Sequence, residues 1–322
     1  MNTTTDNNSK GKLFKLLLSI ILVVTFSFVL MTLGGCDNSW ETVTSRVMLK
    51  SSDGSFMAAE IVVPKDGEES MPLVTLGHGY KGTMNSGGAK ELAVKLAANA
   101  IATIRPDYNH YVHDPTSDEA AGLSKEERRA RVDEYTLSDM EEDQLTCIRY
   151  MLKNYSIDES RIALYARSMG GRVAMTMANK SASGFGYAAM ALVAPAGNEN
   201  AMQYYMHGQE SWDKMKAEAL KKGRIEHQGL YLTHQWFTEF EDYNPAADGW
   251  RFNRPVLVIY NTLDHVVTAK TSKECAAGYE NATTIEVTTE DGHGYEMGFE
   301  TSEMKDMLME SITEFFVENL FA

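Results

Sequence analysis

Ala166-Arg167-Ser168-Met169-Gly170-Gly171 is the stretch whose reading decides the fold. The residues before it, Arg161–Ala166, have the composition of a strand, and Met169–Asn179 behind it have that of a helix. A chain that passes from strand to helix within two residues needs small neighbours, because a bulky Cβ on either flank would strike the adjoining strand or helix. Ala166, Gly170 and Gly171 meet that need. Such a turn lifts the Ser168 hydroxyl clear of the backbone and directs the N–H groups of the helix N-terminus at the same spot. A serine at this position also fits an ordinary N-cap. The hexapeptide alone therefore leaves two readings open.

The surrounding pattern narrows them. Thr42–Leu49 and Phe56–Val63 are β-rich and flank Ser51-Ser52-Asp53-Gly54, a hairpin signal. Pro64 to Pro72 reads as a polar loop. Leu73–Leu76 is a short buried strand that stops at Gly77-His78-Gly79, and Lys90–Ala100 is a helix with Leu92, Leu96 and Ala100 on one face. Ile101–Arg105 is the next strand. Ser124 to Asn154 is a helical stretch with Ile148, Leu152 and Tyr155 facing one way. After the hexapeptide come strand Tyr187–Ala194, strand Pro255–Tyr260, helix Ala269–Tyr279, strand Thr284–Thr288 and a last helix from about Ser302 to Phe321. Alternating strands and helices imply a mostly parallel central sheet with helices on both faces. Residues 196–254 interrupt the alternation and hold Trp212, Trp236 and Trp250, three of the four tryptophans. So long an insert is expected to be functional, a cap over the C-terminal edge of the sheet.

Three loops at that edge carry candidate chemistry. Ser168 resembles the serine of a nucleophile elbow, G-x-S-x-G, with Ala166 in place of the first glycine. Gly77-His78-Gly79-Tyr80 ends the strand before the first helix, where a second oxyanion-binding N–H is expected; the Tyr80 amide would act beside that of Met169. Asp264 follows one strand and His293 the next, so each of the three falls at the carboxyl end of its own strand. A serine needs a base to take its proton, and the base needs a partner that fixes its tautomer. The chain order Ser168, Asp264, His293 suits these roles, with His265 and Asp291 as rivals. His78 is expected to pack under its loop. His110 and His113 with Asp114 lack metal-site spacing and read as a surface loop. His207, His227 and His234 lie in the insert.

From about residue 56 to 320 the chain resembles the α/β-hydrolase superfamily. It is similar to bacterial cinnamoyl/feruloyl esterase-like hydrolases and to prolyl-oligopeptidase-type and serine-aminopeptidase-type relatives. The matching segments are His78-Gly79-Tyr80-Lys81-Gly82, Gly229-Leu230-Tyr231-Leu232 and Arg254-Pro255-Val256-Leu257-Val258-Ile259. It departs from the pattern at Ala166, and at Asn261-Thr262, where relatives usually have His-Gly. The resemblance implies an α/β-hydrolase fold and a serine hydrolase with no cofactor and no metal. Ser168 would be nucleophile, His293 base and Asp264 acid, acting on a small-molecule ester or a short peptide. The aromatic insert favours an aromatic or apolar acyl group, with Trp236 and Tyr231 as candidate contacts. Glu239, Glu241 and Asp242 form an acidic run that either captures a peptide amine or is simply solvated. A third reading, binding without catalysis, conflicts with the complete Ser–Asp–His set.

Lysine and arginine number 30 against 45 aspartate and glutamate, a net charge of −15, which excludes a nucleic-acid partner that needs clustered cations. Lys10, Lys12 and Lys15 precede an uncharged run of 21 residues, Leu16 to Cys36, which ends Leu33-Gly34-Gly35-Cys36. This pattern reads as a signal peptide over 1–35, and it resembles the lipobox of bacterial lipoproteins, with Cys36 lipidated and residues 36–40 a short tether to a domain over 41–322. The alternative is an uncleaved signal anchor, since such a run is about 32 Å long as a helix. Both place the domain outside the cytoplasmic membrane, held on its outer face or on an outer membrane. The exported 287 residues would carry −17. Cys147 and Cys275 read as buried free thiols, although export permits pairing.

Overall fold

In the computed structural model the strands run in the order β1-β2-β4-β3-β5-β6-β9-β10 across one eight-stranded sheet, and β7 and β8 form a separate hairpin. The structure describes residues 39–50, 56–67, 70–108, 136–180, 184–197, 206–228, 230–290, 292–293 and 302–322. The strands are β1 Thr42–Lys50, β2 Phe56–Pro64, β3 Met71–Gly77, β4 Ala102–Pro106 and β5 Ile157–Arg167, then β6 Tyr187–Val193, β7 Arg224–His227, β8 Leu230–Thr233, β9 Val256–Asn261 and β10 Ala282–Val287. The helices are α1 Ala89–Ala98, α2 Leu137–Asn154, α3 Ser168–Lys180, α4 Gln209–Lys222, α5 His234–Asp242, α6 Ala269–Ala277 and α7 Ser302–Leu320. β1 pairs with β2 antiparallel, as does β2 with β4. The remaining pairs in the large sheet are parallel. This is the mostly parallel sheet that the alternation implied, in the α/β-hydrolase arrangement that the family resemblance implied.

Burial explains the two-faced sheet. On one face Met140, Cys147 and Ile148 of α2 and Val173 and Met177 of α3 pack against Leu73, Ile104 and Leu164. On the other, Leu92 and Leu96 of α1 and Leu308, Ile312 and Phe316 of α7 pack against Val74, Leu76 and Ile259. Each such side chain contributes roughly 1.5–3 kcal/mol when fully buried.

Several local expectations shift. Met71 and Pro72 belong to β3, not to a loop, because Met71 pairs with Ile157. The buried face of α2 runs through Met140, Gln144, Cys147 and Met151, leaving Leu152 and Tyr155 only half-buried. Its start at Leu137 is set by a capping box: the Asp139 amide donates to Thr136 Oγ1 at 3.1 Å, and the Thr136 amide to Asp139 Oδ2 at 3.1 Å. Helix α1 stops at Ala98, with Ala100 in the left-handed region at φ 64°. Cys147 and Cys275 are both buried and unpaired with each other.

The chain comes into the domain at Trp40, whose amide donates to Ala98 O at 2.9 Å. Ala98 ends α1 just before β4 begins, so this point lies at the N-terminal edge of the parallel strands. The hairpin turn 51–54, the stretch 109–135 with His110, His113 and Asp114, and the leader with Cys36 lie outside the described residues. No helix among the described residues is long and apolar enough to cross a membrane.

Candidate active site

Ser168 is the first residue of α3 and follows β5 directly. Its φ is +49°, a conformation that L-residues rarely adopt and that the packed strand and helix must enforce. Ala166, at the first elbow position, is in register with Gly77 on β3. A Cβ on Gly77 would lie 3.4 Å from the Ala166 Cβ, 2.6 Å from Tyr108 Oη and 2.8 Å from Gln144 Nε2.

The loop after β3 lies against the serine. A Cβ on Gly79 would stand 2.9 Å from the Ser168 Cβ. A tight turn follows, closed by the Gly82 amide on Gly79 O at 3.0 Å, with Lys81 at φ +60°. The amide of Tyr80 leaves this close approach, and that of Met169 is the first after the serine. His78 sits beneath, buried, where its ring stacks on Tyr108 at 4.4 Å. The Tyr108 amide donates to Nε2 at 3.3 Å, so the proton resides on Nδ1, which donates to Gly79 O at 2.9 Å. Burial pushes its pKa down to about 3, so the ring is neutral. Tyr108 in turn accepts from Gln144 Nε2 at 2.7 Å, and Thr75 Oγ1 donates to Gln144 Oε1. This buried polar chain supports the floor of the loop.

Asp264 and His293 meet at the serine. His293 Nδ1 donates to Asp264 Oδ2 at 2.7 Å, and His293 Nε2 faces Ser168 Oγ at 3.2 Å. The Asp264 side chain is wholly buried, and the imidazole is 18% exposed. Oδ1 of Asp264 accepts the amides of Val266 and Val267 at 2.8 and 2.9 Å, which locks the carboxylate. With Nδ1 donating to the acid, Nε2 is left free of hydrogen to accept the serine proton. Of the two rivals, His265 is exposed, and Asp291 lies outside the described residues.

Asn261, which the sequence marked only as a departure from the family pattern, closes β9 beside this group and is fully buried. Its Nδ2 donates to Thr289 O and to Gly292 O, both at 2.9 Å. Its Oδ1 accepts the amides of Thr289 at 3.0 Å and Leu263 at 3.1 Å.

The insert contains α4, the β7–β8 hairpin and α5, so it is less purely helical than expected. Trp236 is fully buried, 5.6 Å from Trp212, 5.1 Å from Phe237 and 4.8 Å from Phe240, and 6.1 Å from Tyr80. Its position is therefore in the aromatic heart of the insert, which adjoins the Ser168 loop through Tyr80. Tyr231 lies under Arg224, 4.6 Å away, while Leu230 and Leu232 are buried. His207 is exposed, and His227 and His234 are half-buried.

Two of the three carboxylates in the acidic run are engaged by the protein's own donors. Glu239 accepts the amides of Leu137 and Ser138 at 2.6 and 3.2 Å and the Ser138 hydroxyl at 2.7 Å, capping α2. Glu241 accepts Trp212 Nε1 at 2.8 Å and Lys216 Nζ at 2.7 Å. Asp242 is exposed. Arg172 of α3 reaches the same region: Nη1 donates to Gly197 O at 2.9 Å and Nη2 to Phe240 O at 2.9 Å and to Tyr243 O. No spacing rule in the sequence could have announced these contacts, since they join groups far apart along the chain, many of them backbone atoms. Among the described residues no group of three or more His, Cys, Asp or Glu is placed to hold a metal ion.

Comparison with known proteins agrees with this fold. The prolyl oligopeptidase family model matches residues 133–321. No curated protein matches. Among solved structures, Est1E from Butyrivibrio proteoclasticus with ferulic acid bound aligns with a TM-score of 0.66 at 19% identity, over 86% of this chain and 100% of that one. The esterase domain of a Rhodothermus marinus protein aligns with a TM-score of 0.60 at 14% identity, over 86% and 99%. A puromycin hydrolase aligns with a TM-score of 0.57 at 15% identity, over 82% of this chain and 38% of that one.

Proposed function

The chain belongs to the prolyl oligopeptidase family of serine hydrolases, and on that footing we propose that it cleaves carboxylic esters bearing an aromatic or apolar acyl group. The observation that carries the hydrolytic part is the unbroken path from Ser168 Oγ through His293 to Asp264, at 3.2 and 2.7 Å. Ser168 attacks the acyl carbonyl as its proton moves to His293 Nε2. The amides of Tyr80 and Met169 bind the oxyanion, each donor worth about 3–4 kcal/mol. His293 then passes the proton to the leaving alcohol, and water, activated by the same imidazole, releases the acid. Asp264 holds the imidazole in the tautomer that both steps require.

Two observations favour an ester over a peptide. Of Glu239, Glu241 and Asp242, the candidates for gripping a peptide amine, the two glutamates are occupied by donors from the protein itself, and only Asp242 is exposed. The insert beside Tyr80 is built from large aromatic rings, which suit a flat acyl group. The peptide reading retains two supports, the prolyl oligopeptidase family match over residues 133–321 and the likeness to a puromycin hydrolase. As a location, we propose export and a lipid on Cys36, from the uncharged run ending Leu33-Gly34-Gly35-Cys36.

The test is a panel of p-nitrophenyl acyl esters, feruloyl esters and aminoacyl anilides on the 37–322 fragment, with Ser168→Ala as the control. Wild-type protein should label with a fluorophosphonate and turn over esters, and Ser168→Ala should do neither. Substantial esterase activity in Ser168→Ala would sink the site. Anilides turned over faster than every ester would replace the ester reading with the peptide one. Trp236→Ala separates contact from core: a ten-fold rise in KM confined to aromatic esters marks a substrate contact. Equal losses on acetyl and aromatic esters, with a lower melting temperature, make it part of the core only.

A further inference from the structure

We propose that Asn261 is a positioning residue, whose carboxamide sets the spacing between the loop that carries Asp264 and the loop that carries His293. The inference rests on the Ser168–His293–Asp264 reading and adds to it a part with no direct role in the chemistry. Asp264 and His293 sit on separate loops after β9 and β10, which a backbone bond from the Thr262 amide to Val287 O at 2.9 Å and a bond between the Thr262 and Thr288 hydroxyls at 2.7 Å tie together near their start. Asn261 is the last residue of β9, and all four of its side-chain hydrogen bonds go to these two loops. On the acid side, Oδ1 accepts the Leu263 amide at 3.1 Å, and the Asn261 carbonyl accepts the Asp264 amide at 3.2 Å. On the base side, Nδ2 donates to Gly292 O, the residue directly before His293, and to Thr289 O, both at 2.9 Å. Oδ1 also accepts the Thr289 amide at 3.0 Å.

The choice of side chain follows from this. The site needs one group with two donors and one acceptor in a plane, at a fully buried position. A carboxamide has that inventory. Aspartate has the shape and the acceptors but would set its second oxygen against two carbonyl oxygens. Leucine has the size and neither function. Loss of the group frees the base loop to drift by a few tenths of an ångström, enough to lengthen a 2.7 Å bond between His293 and Asp264. A group that acts only through this bond has nothing left to act on once the bond is disabled. This makes the role measurable as an interaction between two substitutions.

The experiment is a double-mutant cycle on p-nitrophenyl acetate hydrolysis with Asn261→Ala and Asp264→Asn. In the wild-type background, Asn261→Ala should lower kcat by 10- to 100-fold and leave KM within two-fold. In the Asp264→Asn background, the same substitution should lower kcat by less than three-fold. An equal factor in both backgrounds, or a rise in KM with kcat intact, overturns the inference. Should the alanine variant fail to fold, Asn261→Asp, which keeps both accepting contacts, is taken through the same cycle under the same criteria. If neither variant folds, Asn261 serves the fold as a whole and the inference is likewise overturned. Ser168→Ala, run alongside, keeps the two levels apart. Activity retained there removes the site itself, whereas an inactive Ser168→Ala with equal factors removes only the role of Asn261.

Discussion

At the scale of single residues, the candidate site is held by buried groups beneath it. His78 is one: neutral, buried, and bonded at both ring nitrogens. In the unfolded chain it takes up a proton near the ordinary imidazole value of 6.5, whereas in the fold it stays neutral down to about 3. The unfolded state therefore binds more protons between these values. The contribution of neutral His78 is complete above 6.5 and is lost as the pH falls towards 3, on the order of 5 kcal/mol at the limit. His78→Gln should consequently cost most at pH 8, and its stability gap from wild type in urea melts should narrow at pH 4. A gap that widens on acidification would show that His78 is protonated in the fold. Gly77 gives a second expectation. Gly77→Ala pushes a methyl to 2.6 Å from Tyr108 Oη and 2.8 Å from Gln144 Nε2, and should cost about 1–3 kcal/mol in the same assay. The sequence showed Ala166 where the family pattern has a glycine; it could not show that Gly77 makes room for Tyr108 and Gln144, since contacts between distant segments are not written in local composition.

At the scale of elements, the insert is tied to the nucleophile helix by buried polar contacts. Arg172 of α3 spends its guanidinium on carbonyls at the end of α5 and beyond, and lies 4.5 Å over the Phe240 ring. Glu239 of α5 caps α2 from the other direction. Both are long-range bonds to backbone, so periodicity revealed α2 and α3 but not what joins them to the insert. Arg172→Met keeps much of the packing and strands several buried carbonyls, each costing about 1–3 kcal/mol. It should lower the melting temperature markedly and loosen α5 first, seen as faster amide exchange across 234–242 than across β5. Uniform exchange over both elements would mean that the insert and the sheet open together. The alternation of strands and helices was legible because periods of 2 and 3.6 are local. The chain order of Ser168, Asp264 and His293 was legible because each follows its own strand. Boundaries such as the start of β3 at Met71 depended on pairing with Ile157, which only the folded chain reveals.

At the scale of the whole molecule, the proposed anchor makes a direct prediction. Cys36→Ser should release the protein from the membrane fraction while leaving the activity of the domain unchanged. Continued attachment would favour an uncleaved anchor in its place. The strands add a sense of direction to this. Ser168, Asp264 and His293 all follow the carboxyl ends of their strands, and Trp40 docks on Ala98 at the amino ends. A hold on the chain ahead of Trp40 thus grips the domain by the side remote from its chemistry. A preparation immobilised on a solid support through its N-terminus should keep its substrate face turned to the solution, and its rate per molecule should match that of the free protein.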